Sequence, residues 1–481
     1  MFDLAASARQ EMIAEGFEPD FPPEIEGQVA ALAARPAAAL DGLRDLRGLA
    51  WSSIDNDDSR DLDQIEAAER VAGGIRTMVG IADVDAAVEA GSPIDRHAAA
   101  EATSVYTGIR TFPMLPERLS TDLTSLVEGG DRRAVVVEFL VGPGGEISNP
   151  AIYGALVRNK AQLTYSGVGP WLEGRAAAPP KLAACAELAE QVKMQDEAAQ
   201  ALCGERDKLG ALHFDRVETQ SILRDGKVEG IAAAAKNRAD ALIENFMIAA
   251  NEAMARTLGD AGVSSIRRVV RTPERWPRIV ELAAQHGERL PAQADAAALS
   301  AFLQKRKAAD PDHYADLSLA VIKLMGPGEY VLARPGEDAP GHFALAAHDY
   351  THSTAPNRRY ADLVTQRLIH AVLAKRPAAY ADDALAAIAL HCTQREDAAR
   401  KVERAMQKRI AAVALAPRVG QSFPAVVTGV TPKGVFVRVF DPPAEGRLMR
   451  GAQGVDVGDR IRVTLVATDP ARGFIDFSRS L

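Results

Sequence analysis

Cysteine is scarce, with three in 481 residues, Cys185, Cys203 and Cys392. They are far apart, odd in number and form no Cys-x-x-Cys pair, so no disulfide framework is expected and a reducing cytoplasm fits. A secretory signal is missing too: the start, MFDLAASAR, carries an acid at position 3 and lacks a basic segment followed by an apolar stretch. The alanine-rich runs are broken by charges before the ~18 apolar residues that a membrane span needs. Positive charge is also short. Lys and Arg number 56 against 65 Asp and Glu, a net of −9, which excludes a wholesale basic coat and requires any polyanion to meet a local patch. These absences predict a soluble, cytoplasmic protein that works away from membranes, and a monomer is expected.

What is present is ordinary globular material: 47% apolar and 25% charged residues. A chain of 481 residues is too long for one core and suits two to four domains at roughly 100–200 residues each. The punctuation predicts an α+β protein in three parts. Residues 1–48 read as short helices over 3–15, 24–34 and 37–46 around the breaker GFEPDFPP, a trio of helix-turn-helix type whose second helix is too acidic to suit a nucleic-acid groove. Residues 49–416 read as a large mixed α/β domain, with strands over 75–84, 134–141 and 151–158, helices over 181–208 and 237–258, and short strands over 213–217 and 227–232. From 417 to 481 five short alternating strands, separated by Gly or Pro, predict an OB-type barrel. This tail holds nine basic and six acidic residues, a local reversal of the overall charge.

The densest chemical signal is Asp55-Asn56-Asp57-Asp58-Ser59-Arg60-Asp61-Leu62-Asp63-Gln64-Ile65-Glu66. Clustered carboxylates repel unless a cation neutralises them, and hard divalent cations take oxygen ligands. Three readings fit: a solvated acidic loop, a calcium loop with Asp55, Asp57, Ser59, Asp61 and Glu66 in an EF-hand frame, or a two-metal site for phosphodiester chemistry. Arg60 stands where the EF-hand needs glycine, and no sister loop exists, which weighs against calcium. Elsewhere Arg358 and Arg359, in YTHSTAPNRRYAD, offer guanidinium groups that match phosphate oxygens. Tyr106, in VYTGIRTFPMLPERLS, is an aromatic in an irregular segment of the kind that stacks on a single-stranded base.

Taken in order, SIDNDDSRDLDQ (53–64), VGIADV (79–84), YTGIRTFPMLPERLSTDLTSL (106–126), RNKAQLTYSGV (158–168), LIENFMIAAN (242–251), STAPNRRYADLVTQRLIHAVL (353–373) and the OB-type tail resemble the bacterial ribonuclease II and ribonuclease R exoribonucleases. The resemblance covers roughly residues 50–481. It implies processive 3′→5′ hydrolysis of single-stranded RNA from its 3′ end to nucleoside 5′-monophosphates, with Mg2+ as cofactor and Mn2+ as an alternative. It implies that Asp55, Asp61 and Asp63 hold metal and orient the attacking water. Arg358 would stabilise charge on the scissile phosphate, with Arg359 as its basic neighbour. Tyr106 and Tyr165 would be aromatics of the RNA path, Phe214 a clamp on the last base, and Glu244 would approach the terminal ribose. The tail resembles an S-one type RNA-binding domain, with Lys433, Phe436, Arg438 and Arg447 on its RNA face. Two departures stand out. Gln64 occupies the position where the family usually has a fourth aspartate; activity is expected to survive, with Asp57 or Asp58 as substitute acids, and a scaffold that binds RNA with weakened or lost catalysis is the alternative. Residues 1–48 leave no room for the family's usual cold-shock domains, which implies a more open channel and less dependence on a long 3′ overhang.

Overall fold

A computed structural model describes residues 2–34, 42–215, 218–224, 227–311, 313–432 and 434–480. Two helices, α1 (Leu4–Ala14) and α2 (Pro23–Ala33), come first, α1 capped by Asp3, whose carboxylate accepts the Ala6 amide at 2.9 Å. The following strands are β1 (Arg44–Asp45), β2 (Ser52–Asp55), β3 (Gln64–Val71), β4 (Gly74–Ala82), the short hairpin β5 (Val105–Tyr106) and β6 (Thr111–Phe112), β7 (Asp131–Val141), β8 (Ile147–Arg158) and β9 (Ala161–Thr164), with α3 (Pro93–Glu101) after β4. Seven of them form one sheet in the order β1-β8-β7-β4-β3-β2-β9, with β1 and β9 parallel to their neighbours and the other pairs antiparallel. The middle strands β4 and β7 are buried along most of their length. That burial is why they read as apolar runs rather than as alternating ones.

Helices α4 (Tyr165–Leu172), α5 (Pro180–Ala184), α6 (Ala186–Lys208) and α7 (Arg238–Asp260) follow, interrupted by the hairpin β10 (Glu218–Arg224) and β11 (Lys227–Ala234). A capping box at Asn237 and Asp240 fixes the start of α7. Helices α6 and α7 pack on each other and on the sheet, joining Phe246, Leu242 and Val192 to Trp51, Ile81 and Phe139 in the main core. The ladder β12 (Ser265–Val269) with β13 (Glu329–Ala333) encloses α8 (Trp276–Gln285), α9 (Ala296–Ala309) and α10 (Tyr314–Met325), and α11 (Tyr360–Leu373) and the 34-residue α12 (Asp382–Leu415) complete the large domain. The strands β14 (Ser422–Thr431), β15 (Gly434–Phe440), β16 (Pro443–Arg450), β17 (Arg460–Asp469) and β18 (Phe474–Arg479) close a barrel in the order β14-β15-β16-β18-β17. Its core (Val437, Val439, Phe477) is continuous with Met406, Ile410 and Leu415 of α12 and with Ala8 and Met12 of α1.

Several expectations need correction. Of the helix expected over 37–46, residues 35–41 lie outside the described residues, and Arg44–Asp45 is a strand that pairs in parallel with β8. The strand expected over 213–217 is not formed through Asp215, and the chain there is irregular. The acidic segment is flanked by two strands of one sheet, β2 and β3, not by the two helices of an EF-hand. Among the described residues no helix is long and apolar enough to cross a membrane.

Candidate active site

β2 and β3 are adjacent strands joined by the acidic segment, so its carboxylates gather at one end of the sheet. The segment is held by its own polar atoms. Asp55 Oδ1 accepts the Asn56 amide at 2.7 Å and the Ser59 hydroxyl at 2.8 Å. The buried Ser125 hydroxyl accepts the Leu62 amide at 2.9 Å and donates to the Arg60 carbonyl at 2.7 Å. Leu62 is buried in the main core, which turns Asp61 and Asp63 away from it. Asp63 Oδ1 then accepts the amide of Asn357 at 3.0 Å, and Arg358 Nε stands 3.4 Å from Asp63 Oδ2. Two segments remote in sequence are thereby locked together through one carboxylate.

The result is a cavity of about 350 Å³ lined by Asp55, Asp61, Asp63, Gln64, Tyr106, Tyr165 and Arg358, with Asn56, Ser59, Ile243, Met247 and Thr354 completing the wall. Three carboxylates face one guanidinium. Burial pushes Asp63, 2% exposed, up to about 7, against the opposing pull of Arg358 and the Asn357 amide. Burial likewise raises Asp55 above the usual carboxylate range, in spite of its two hydrogen bonds. Buried carboxylates that are short of positive charge, with hard oxygen donors only, fit a divalent cation such as Mg2+ or Mn2+.

Two aromatics flank the acids. Tyr165 begins α4, after Thr164, whose side chain accepts the Gly167 amide. The Tyr106 hydroxyl donates to Asp61 Oδ2 at 3.2 Å, and its backbone N–H donates to Glu403 Oε1 on α12 at 3.3 Å. The Tyr106 ring also lines a neighbouring cavity of about 550 Å³, bounded by Asn56, Asp57, Asp58, Arg110, Ser221 and Ile231. An aromatic at the junction of two cavities, beside arginines, can stack on bases of a strand that threads both.

Other residues singled out from the sequence sit elsewhere. Glu244 ion-pairs with Lys236 at 3.0 Å on the outer side of α7, while Ile243 and Met247, one helical turn apart, face the cavity. Phe214 packs against the Leu212, Trp276, Phe302 and Tyr314 cluster, which is separate from the carboxylate cavity. Arg359 forks onto Asp362, with Nε to Oδ2 at 2.8 Å and Nη2 to Oδ1 at 2.7 Å. Asp57, bonded to the Ser166 hydroxyl at 2.7 Å, and Asp58 border the neighbouring cavity. On the barrel, Phe436 and Arg447 are cross-strand partners on its outer face. Arg438 ion-pairs with Asp316 of α10, and Lys433 lies outside the described residues. Sequence reasoning placed Ser59 only in the calcium-loop frame and did not single out Asn357, Ile243 or Met247. Ser59 lies inside the acidic run and Asn357 directly precedes Arg358, so proximity to the motif was the available signal.

Residues 43–375 match the RNB domain, and residues 421–480 match the RNase II-type exonuclease C-terminal S1 domain. Ribonuclease R 1 of Lactococcus lactis is 31% identical over 95% of this chain and 59% of the relative, and Ribonuclease R of Thermotoga maritima 30% over 95% and 68%. The chain thus spans about three fifths of the first relative's length. Mycoplasma genitalium RNase R in complex with ribose methylated single-stranded RNA superposes with a TM-score of 0.88 at 21% identity, over 99% of this chain and 78% of that one. Yeast Ssd1, a pseudonuclease, gives 0.71 at 18% identity, over 96% of this chain and 57% of that one. At those identities the likeness shows the fold, and the fold alone does not decide activity. With an RNB domain over most of its length followed by the C-terminal S1 domain, the chain belongs to the RNB family of ribonuclease R-type proteins.

Proposed function

We propose that this chain is a divalent-cation-dependent 3′→5′ exoribonuclease that hydrolyses single-stranded RNA processively to nucleoside 5′-monophosphates. The observation that carries the reading is the convergence of Asp55, Asp61, Asp63, Arg358, Tyr106 and Tyr165 on one cavity. Asp55, Asp61 and Asp63 would hold Mg2+, or Mn2+ in its place, which lowers the barrier by neutralising phosphate charge and activating water. Asp63, with one oxygen on the Asn357 amide and the other toward Arg358, fixes the guanidinium against the cavity, where it meets the scissile phosphate. Tyr106 and Tyr165 hold bases by stacking, and Phe436 with Arg447 offers an outer contact on the barrel. The partners are 3′ ends of single-stranded RNA, and the protein acts as a cytoplasmic monomer. The homologue solved with ribose methylated single-stranded RNA supports that substrate class.

A 5′-labelled oligo(A) incubated with Mg2+ shortens as a ladder from its 3′ end if this reading holds, and Asp63→Asn leaves it intact. A second reading is favoured by one residue: Gln64 lines the cavity where the family pattern calls for an acid, and the fold also houses a pseudonuclease. An RNA-binding protein without catalysis retains the labelled strand uncut in wild type and Asp63→Asn alike. A 2′-deoxy substrate tests whether the sugar hydroxyl is read.

A further inference from the structure

Gln64 and Glu66 are two residues apart on β3 and so share one face of the strand. Gln64 lines the carboxylate cavity. Glu66 lies behind it with no exposed surface, opposite Ser52 in the ladder with β2. Neither Glu66 carboxyl oxygen has a hydrogen-bond partner among the described residues, and the buried Ser52 hydroxyl lacks one as well. Burying a polar group in that state costs free energy unless something offsets it. Ser52, opposite Glu66, lies on β2, which ends at Asp55, and Asp55 and Gln64 both line the cavity whereas Glu66 does not. The orphaned carboxyl therefore lies one step along the strand, on the same face, from a site that is short of one acid at position 64.

We propose that Glu66 is the fourth carboxylate of the cation site and supplies, one step further along the strand, the charge that Gln64 does not. Two residues along a strand amount to about 6.7 Å. The extra methylene of Glu covers part of that distance, and a cation-bound water, which Mg2+ keeps readily, covers the rest. The proposal rests on the reading of the site as a divalent-cation centre. It is tested on the full chain without RNA, by counting bound Mn2+ by electron paramagnetic resonance and titrating Mg2+ calorimetrically. Wild type is expected to hold two ions. Glu66→Gln, which keeps the volume, loses one or binds it at least tenfold more weakly, and Gln64→Asp with Glu66→Gln recovers it. Gln64→Asp alone gains little, because Glu66 already fills the role, and a tenfold gain there overturns the proposal. Two ions bound with unchanged affinity by Glu66→Gln overturn the role of Glu66 and leave the cation site standing. Absence of binding in wild type overturns both.

A second cluster, away from this cavity, rests on different observations. Cys203 and Asp207 lie one turn apart on α6. Gly210 then reverses the chain at φ +92°, where an added Cβ would meet the Ala297 backbone nitrogen at 2.6 Å. The reversal brings His213 back over the helix end, where its Nε2 bonds Asp207. The segment is pinned by the Tyr314 hydroxyl on the His213 carbonyl at 2.6 Å and by the Leu212 amide on the Ala344 carbonyl at 2.8 Å. The Cys203 sulfur, a His213 ring nitrogen and an Asp207 oxygen lie within 4.8 Å of one another, close to the ~3.5 Å spacing of donors around tetrahedral zinc. We infer a zinc site with these three ligands and one water, fastening residues 210–215 to α6 just before the β10–β11 hairpin. Cobalt is the probe. Co2+ added to the full chain produces the near-ultraviolet thiolate charge-transfer band, which Zn2+ displaces and Cys203→Ser and His213→Ala abolish. No band in wild type, or an undiminished band in Cys203→Ser, overturns the site.

Discussion

Arg358 and Arg359 are adjacent in sequence and meet different surroundings. Arg358, 41% exposed at its side chain, leans on Asp63 at the cavity wall, whereas Arg359 grips Asp362, which has no exposed surface and also accepts the Ala355 amide at 2.8 Å. Arg359→Ala leaves a buried carboxylate unpaired and is expected to cost about 3–5 kcal/mol, read as a large fall in melting temperature. Arg358→Ala should leave the melting temperature nearly unchanged and reduce the cleavage rate about 100-fold or more. The sequence made both arginines visible as phosphate-binding types. The resemblance set Arg358 on the scissile phosphate and Arg359 beside it, but the grip of Arg359 on Asp362 was not legible, because the partner of each depends on how the loop before α11 folds. A pair of histidines sets a pH dependence at the same scale. His342 and His352 stand edge-on to Tyr350 at 5.4 and 5.8 Å, and burial lowers His342 to about 4 and His352 well below its usual value. The unfolded chain therefore binds protons that the folded chain refuses. The stability these residues allow is whole above about pH 6.5 and falls toward pH 4 by up to about 1.4 kcal/mol per pH unit for each group. Thermal unfolding at pH 7 and pH 5 measures the fall, and His342→Gln should shrink it.

At the scale of elements, α12 joins most of the parts. It carries α1 on one flank, where Arg409 bonds Glu11 at 2.7 Å and Ser7 at 3.0 Å and the Arg395 guanidinium stacks 3.6 Å from the Phe17 ring centroid. Met12 is 1% exposed in the core shared with Val402 and Met406. Met12→Ala is expected to destabilise the chain by about 2–5 kcal/mol through the cavity it leaves, measured by urea unfolding, while the oligo(A) ladder persists at temperatures where the variant stays folded. Helices with a strong apolar face and strands in continuous apolar runs are legible in the sequence itself, as with α7, β4 and β7. The segment around His213 is not. Its alternation matches a strand, but Gly210 and the contacts to Tyr314 and Ala344 pull it out of any ladder. The parallel pairing of Arg44–Asp45 with β8 is equally hidden, since a two-residue strand has no periodicity to read.

At the scale of the whole molecule, the barrel is docked rather than tethered. Arg438 holds Asp316 of α10, and the barrel core runs into α12. The basic residues of the tail therefore divide between holding the domain and facing outward, which a count of charges cannot reveal. Arg447→Ala should weaken binding of single-stranded RNA evenly across sequences and lower the slope of log affinity against log salt by about 1. Arg438→Ala should instead loosen the docking and expose the barrel junction to limited proteolysis. Tyr106 is tied by its hydroxyl to Asp61 and by its amide to Glu403, and α12 continues from there to Leu415 and the barrel. On the proposed reading, the inner and outer contacts with a strand would both be fixed to one rod, whose stretch from Glu403 to Leu415 measures about 18 Å at 1.5 Å per residue. Such a rod would act as a gauge. An oligonucleotide long enough to reach both contacts would be gripped twice, one that has shrunk below the gauge would be gripped once, and the length at which products escape would be set by a helix rather than by base sequence.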